Sequence, residues 1–174
     1  MVGMSIFIPP RPKRTAEILA YVEPRGNTVS ESLVNQAREA GPYLTYLALF
    51  SFHANRDGTL TAPPINPLPS VAAQTNASMA MVITNLENDQ FSSDLARDIL
   101  QSAAVQDLLL NNIISEAKRV GNTSDIHFDF ESLRGEDREA YTNFLRKAKT
   151  RFSALGWQIS IALAPKTSAN QKGK

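Results

Sequence analysis

The sequence predicts an α/β fold in which parallel strands form part of a TIM (β/α)8 barrel, with about five strand–helix units. Two observations favour this fold class. Apolar strand-like segments alternate with amphipathic helical segments along the 174 residues, and such alternation is typical of parallel strands joined by helical crossovers. One strand, Ser124–Ser132, has ionisable side chains at every second position. An open sheet covered by helices on both faces would bury these groups unpaired, whereas a barrel strand turns one face to the lumen.

The first three strands have clear local signals. The first is expected within Glu17–Glu23, where a proline and a glycine follow. The nearly all-apolar segments Tyr43–Phe52 and Met79–Leu86 predict the second and third strands, both buried. A helix over about Ser30–Ala40 connects the first pair, and a short helix within Ser70–Ala77 connects the second pair.

The second half of the chain continues the alternation. Ser93 is expected to cap a long helical stretch that breaks near Ser102 and ends at Gly121. The charged strand follows, and then Gly135–Gly156 carries an apolar stripe at helical spacing. The segment Trp157–Ala164 predicts the fifth strand.

Composition excludes several functional classes. The chain has no cysteine, which excludes disulfides, thiol catalysis and cysteine zinc sites. The net charge of +1 gives no reason to expect nucleic-acid or anionic-membrane binding. No apolar run approaches the roughly 20 residues that span a bilayer, and the N-terminus is a poor match to a signal peptide.

The charged strand separates its side chains by chemistry. Successive residues of a strand point to opposite faces, so large apolar groups share one face and ionisable groups share the other. The apolar face, expected against the helices, consists of Ile126, Phe128 and Phe130. The face expected toward the lumen consists of Asp125, His127, Asp129 and Glu131. Glu131 is then expected at the carboxyl mouth, where barrel active sites lie.

Three interpretations of this row remain open from the residues alone. Asp129 and Glu131 lie roughly 6.5–7 Å apart along a strand, so one of the two carboxyls is expected to keep a proton near neutral pH. A protonated acid beside an anion is what acid-assisted glycosidic cleavage requires. The row could instead be the wet face of an amphipathic strand. A divalent metal site formed with His127 is the third interpretation, although ligands on one straight strand spread over roughly 13 Å.

The segment Asp129–Glu131 resembles the end of the DGxDxDxE signature of family 18 glycoside hydrolases, which are chitinase-like barrels. Over about residues 16 to 173, the chain is similar to the LysM-associated N-acetylglucosaminidases that act on spore cortex peptidoglycan during germination. The similar segments are Ala20–Gly26, Ser30–Ala37, Met81–Asn88, His127–Lys149 and Ile159–Gly173. The segment Gly3–Pro10 resembles the closing strand of a LysM repeat. Residues 1–14 are therefore expected to be a LysM remnant with a proline-rich linker, and residues 15–174 the barrel part.

The resemblance implies a substrate-assisted retaining mechanism with Glu131 as acid and base and Asp129 as the residue that orients the substrate acetamido group. It implies no cofactor and no metal. The expected partner is peptidoglycan or another N-acetylglucosamine-containing glycan, and the expected location is the spore coat or cortex. Tyr21 and Asn85 end predicted strands and are expected, with His127, to contact substrate.

The chain departs from the signature in two ways. His127 stands where the family has its middle Asp, and a histidine there could donate a hydrogen bond to Asp129. An eight-stranded barrel typically needs about 250 residues, so the chain is expected to be the N-terminal part of an enzyme, truncated or split. The alternatives are a non-catalytic glycan-binding or spore-coat protein and an inactive truncation product.

Overall fold

The computed structural model describes residues 16–163. The strands within this range are β1 (Leu19–Val22), β2 (Tyr46–Ala54), β3 (Leu60–Thr61), β4 (Ser78–Thr84), β5 (Leu86–Glu87), β6 (Gln90–Phe91), β7 (Thr123–Asp129) and β8 (Gln158–Ile161). The α-helices are α1 (Glu31–Ala40), α2 (Leu68–Gln74), α3 (Ser93–Gln101), α4 (Ala103–Val120) and α5 (Arg138–Ser153).

Five parallel strands form the main sheet in the order β1–β2–β4–β7–β8. Each neighbour in this order is also the next long strand along the chain, as expected for successive strand–helix units of a barrel. Two short additions flank the sheet: β3 pairs antiparallel with β2, and β5 and β6 form a separate hairpin. The predicted α/β fold with about five strand–helix units is confirmed, and the strands between residues 16 and 163 do not close into a barrel.

The two faces of the sheet differ in what they pack against. On the helix side, the fully buried Phe128 ring lies 5.4 Å from Phe144 and 6.4 Å from Phe152, centroid to centroid. Both partners belong to the apolar stripe of α5. The opposite face carries a small cluster of Ala48, Ala80 and Val82 beside the polar side chains of β7. The two faces therefore differ in character, with aromatic packing on the helix side and small apolar side chains beside polar ones on the other.

Several predicted boundaries are wrong by a few residues. The cap of α3 is Ser92, whose Oγ accepts a hydrogen bond from the Leu95 N–H at 3.1 Å, and Ser93 is already the first helical residue. The predicted break at Ser102 and the end at Gly121 are both present. The charged strand ends at Asp129, so Glu131 lies beyond it.

The predicted third strand ends two residues early because a hairpin interrupts it. β4 stops at Thr84, and the chain turns back between β5 and β6. Asn88 and Asp89 both have positive φ at this turn. A two-residue loop with two positive φ angles is the usual tight connection of a hairpin, and Asn and Asp tolerate it. The Asn–Asp dipeptide was therefore a usable sequence signal for this hairpin.

Some predictions fall outside the described residues. The LysM-like segment, the proline-rich linker and the end of the fifth predicted strand at Ala164 are among them. Of the helices between residues 16 and 163, none combines the length and apolar character needed to cross a membrane.

Candidate active site

The candidate site is built on β7, the fourth parallel strand, which lies between β4 and β8. Its alternation is as predicted: Ile126, Phe128 and Phe130 belong to the main apolar core. The polar side chains at alternate positions are Asp125, His127 and Asp129, which are only 1%, 6% and 6% exposed. Glu131 follows the strand and is exposed at its carboxyl end. The sheet therefore holds three ionisable groups away from solvent and leaves the fourth at the rim.

Asp129 is the carboxyl group that the structure perturbs most clearly. Burial raises its pKa from 3.8 to about 6, and the negative charge of Glu131 adds to the rise. Both effects disfavour the carboxylate, because burial removes water from it and the neighbouring charge repels it. Asp129 therefore takes up a proton at a higher pH than an ordinary aspartate does, and it is protonated in most molecules below about pH 6.

One oxygen of Asp129 lacks a hydrogen-bond donor. Oδ1 is buried and has no partner anywhere in residues 16–163. A buried carboxylate oxygen without a donor is costly, which contributes to holding a proton on this group. Asp129 thus presents an acceptor to any donor that enters the site.

His127 takes part in a hydrogen-bonded chain that does not include Asp129. Its Nδ1 lies 2.6 Å from Ser160 Oγ, and Ser160 Oγ donates to Asp125 Oδ2 at 2.5 Å. Because the serine hydroxyl has a single hydrogen, His127 Nδ1–H is the donor to Ser160. The other ring nitrogen, Nε2, lies 2.7 Å from the Tyr21 hydroxyl and accepts a hydrogen bond from it.

The hydrogen bonds of His127 correct one expectation about this residue. A hydrogen bond from His127 to Asp129 is absent among the described residues, because both ring nitrogens are engaged by Tyr21 and Ser160. Burial also lowers the pKa of His127, which keeps the imidazole neutral. Residues 16–163 contain no group of three or more His, Asp and Glu side chains placed to hold a metal ion.

Tyr21 connects this buried chain to the open side of the site. The residue is 51% exposed, and its ring meets Phe50 and His127 edge to face, at 5.9 and 5.7 Å between centroids. Burial of the hydroxyl raises the pKa of Tyr21, and the charges of Asp129 and Glu131 raise it further. The structure therefore brings Tyr21 close to the two carboxyls, as expected for a residue at the mouth.

Asn85 is in a different environment from the one that the sequence suggested. The side chain is fully buried, and its amide bonds Glu131 and Ser92 of the protein. An amide whose oxygen and nitrogen are both used internally is poorly placed to contact a sugar. The expected substrate contact at Asn85 stays a prediction, and the structure adds a link from its amide to the Glu131 peptide.

An open cleft of about 690 Å³ extends from the carboxyl ends of the first two strands. Phe50, Leu86 and Phe91 give it apolar walls, and His53 and Glu23 add polar groups. A volume of this size is within the usual range of small-molecule sites. Phe50 is also the edge-to-face neighbour of Tyr21, so this wall of the cleft lies next to the tyrosine of the candidate site.

Sequence reasoning missed Ser160. It lies opposite His127 in the register of β7 and β8, 33 residues away along the chain. A signal existed, since Gln158 and Ser160 alternate with Ile159 and Ile161 in the last strand. This alternation shows that Ser160 and Gln158 lie on the same face of β8. It does not show that Ser160 lies beside His127, because that depends on the register between β7 and β8.

Comparisons with known proteins agree with the predicted fold and with part of the resemblance. The chain is 56% identical over 166 residues to a cortical fragment-lytic enzyme of Bacillus subtilis, covering 95% of this chain and 38% of that protein. It superposes on the crystal structure of the Bacillus cereus spore cortex-lytic enzyme SleL with a TM-score of 0.87 and 46% identity, covering 96% of this chain and 39% of that one.

A chitinase from Chromobacterium violaceum shares the fold at a TM-score of 0.73 and 18% identity, covering 86% of this chain and 46% of the chitinase. No family model matches the chain. The chain spans about two fifths of the length of the cortex-lytic relatives. It is therefore similar, in sequence and in fold, to one part of the spore cortex-lytic enzymes, and it shares its strand arrangement with chitinase barrels.

Proposed function

We propose that this chain carries the acid-bearing part of a glycosidase that cleaves N-acetylglucosaminyl bonds in spore cortex peptidoglycan. The observation that carries the proposal is the pair formed by the buried, unpartnered Asp129 and the exposed Glu131 at the carboxyl end of β7. Relatives named cortical fragment-lytic enzymes support the choice of substrate. Peptidoglycan is then the partner, and the spore coat or cortex is the place of action.

The proposed reaction uses the substrate's own acetamido group as nucleophile. Glu131 gives its proton to the glycosidic oxygen while the acetamido oxygen bonds to the anomeric carbon and the glycosidic bond breaks. Asp129 holds the acetamido N–H and stabilises the positive charge of the resulting oxazolinium ion. Water then bonds to the anomeric carbon, Glu131 takes its proton, and the acetamido oxygen leaves. Two displacements at one carbon retain its configuration.

The environment of Asp129 suits it to receive the acetamido group. Its pKa is raised to about 6, and its Oδ1 has no donor within residues 16–163. A bound acetamido N–H would donate to that oxygen, and such a bond favours the carboxylate. Asp129 then acts as a carboxylate toward the acetamido group, while Glu131 supplies the proton that the leaving group requires.

Tyr21 and His127 have supporting roles in this proposal. The exposed ring of Tyr21 offers a surface for the sugar, and its hydroxyl is fixed by His127. His127 stays neutral because of its burial, so it adds no positive charge that would lower the pKa of Asp129.

The test is hydrolysis of purified cortex fragments by the intact protein and by its Glu131→Gln variant. Loss of turnover by at least about 100-fold, with glycan binding retained, is expected when a general acid is removed. Glu139→Gln is the matched control, since it makes the same change at an exposed glutamate of α5. Equal turnover by the Glu131→Gln variant would refute the acid role. Binding without turnover by the unaltered protein would instead identify a glycan-binding protein.

A further inference from the structure

Glu131 lies just beyond the last residue of β7 that pairs with β4 in the main sheet. The last pair between β4 and β7 joins Thr84 to Asp129, and Glu131 lies two residues beyond it. Ser132, the next residue, has a positive φ of 56°, so the chain changes direction at once. A side chain at such a position needs another constraint to keep its place.

Asn85 supplies that constraint through its side-chain amide. The Glu131 N–H donates to Asn85 Oδ1 at 3.0 Å, and Asn85 Nδ2 donates to the Glu131 carbonyl at 3.0 Å. This pair of bonds has the same pattern as a backbone pair in a sheet, but one partner is an amide side chain. The asparagine therefore extends the β4–β7 ladder by one step, up to the proposed acid.

The same asparagine is itself held from the other side. Asn85 Nδ2 also donates to the Ser92 carbonyl at 2.9 Å, and the Ser92 N–H donates to the Asn85 carbonyl at 3.0 Å. Ser92 caps α3 and its hydroxyl donates to Glu87 at 3.0 Å. These contacts close the base of the β5–β6 hairpin. Asn85 is thus fixed by the hairpin, by the start of α3 and by Glu131.

We infer that Asn85 is a positioning residue that places the Glu131 carboxyl for proton transfer. The inference rests on the proposed glycosidase function and adds a residue to it. Asn85 is fully buried and its amide is bonded to Glu131 and Ser92, so we expect it to act through the Glu131 peptide. Proton transfer depends steeply on geometry, and a displacement of about 1 Å can cost about 100-fold in rate.

The test compares the intact protein with its Asn85→Ala and Glu131→Gln variants on aryl β-N-acetylglucosaminides with different leaving-group pKa values. A displaced acid slows substrates with poor leaving groups most, because good leaving groups need little protonation. For Asn85→Ala we expect kcat to fall about 10–100-fold on poor leaving groups with KM little changed. The steepened dependence on leaving-group pKa should resemble that of Glu131→Gln.

Asn112→Ala is the matched control. Asn112 also donates its amide to a backbone carbonyl, that of Gly58 at 2.8 Å, but it lies on α4 away from Glu131. A loss of general stability would lower the rates on all substrates equally in both asparagine variants. An equal fall on good and poor leaving groups in Asn85→Ala would overturn the positioning role while leaving the proposed function intact. Absence of turnover by the unaltered protein would overturn both.

Amide hydrogen exchange tests the bond between Asn85 and Glu131 in the unaltered protein, without any substitution. The Glu131 N–H is expected to be strongly protected, because it is bonded to a buried oxygen. Exchange of that amide at the rate of an open loop would overturn the inference even if Asn85→Ala fails to fold.

Discussion

Replacing Asp129 by asparagine should change how stability depends on pH. The carboxyl has a pKa of about 6 in the folded protein, raised from 3.8 by burial and by Glu131. The folded state therefore binds this proton more tightly than the unfolded state does. Below pH 3.8 both states hold the proton and the group has no penalty. As the pH rises to about 6, folding increasingly has to bury a carboxylate, and stability is lost.

The size of this loss follows from the two pKa values. At about 1.36 kcal/mol for each tenfold change, a rise from 3.8 to about 6 corresponds to about 3 kcal/mol. Solvent at the mouth of the site screens part of it, so we expect about 1–3 kcal/mol. An asparagine side chain cannot ionise, so the Asp129→Asn variant should gain that amount relative to the unaltered protein between about pH 4 and pH 7.

Urea unfolding of the intact protein and the variant at a series of pH values measures this difference. Asp89→Asn is the control, because Asp89 is exposed in the β5–β6 turn and asparagine tolerates its positive φ. The pH dependence of the Asp129→Asn difference is then compared with that of this control. A pH dependence no larger than that of the control would refute the burial of a carboxylate at position 129.

Three further substitutions test the packing and hydrogen bonds around the site by urea unfolding at about pH 7. Phe128→Ala should lower the free energy of unfolding by about 3–5 kcal/mol, because its ring is fully buried between strand and helix; a loss under about 1 kcal/mol would contradict this packing. Tyr21→Phe should cost about 1 kcal/mol by leaving His127 Nε2 without its donor, and an unchanged stability would argue against that bond. Ser102→Ala should also cost about 1 kcal/mol, because Ser102 caps α4; no loss would show that the cap is dispensable.

The part of the site that sequence could predict is the part that depends on one strand. Alternation alone places Asp129 on the face opposite to Phe128, because side chains of a strand alternate regardless of its neighbours. The order of strands followed from the alternation of strands and helices. The resemblance to a known signature then singled out Asp129 and Glu131.

The part that sequence could not predict depends on register and on where strands stop. Ser160 reaches His127 only because β8 pairs with β7 in one particular register. Asn85 bonds Glu131 because β4 and β7 both end before these residues. A prediction from sequence places a strand end only to within a residue or two. Here one residue matters, because Phe130 is buried and the next residue, Glu131, is exposed.

Direct titration of the Asp129 carboxyl by NMR, in the unaltered protein and in Glu131→Gln, tests the coupled pair most directly. We expect a pKa of about 6 in the unaltered protein and a lower value in the variant, because the charge of Glu131 is then gone while burial remains. A pKa near 3.8 in the unaltered protein, or a value that Glu131→Gln leaves unchanged, would contradict the coupling of the two carboxyls on which the proposed chemistry depends.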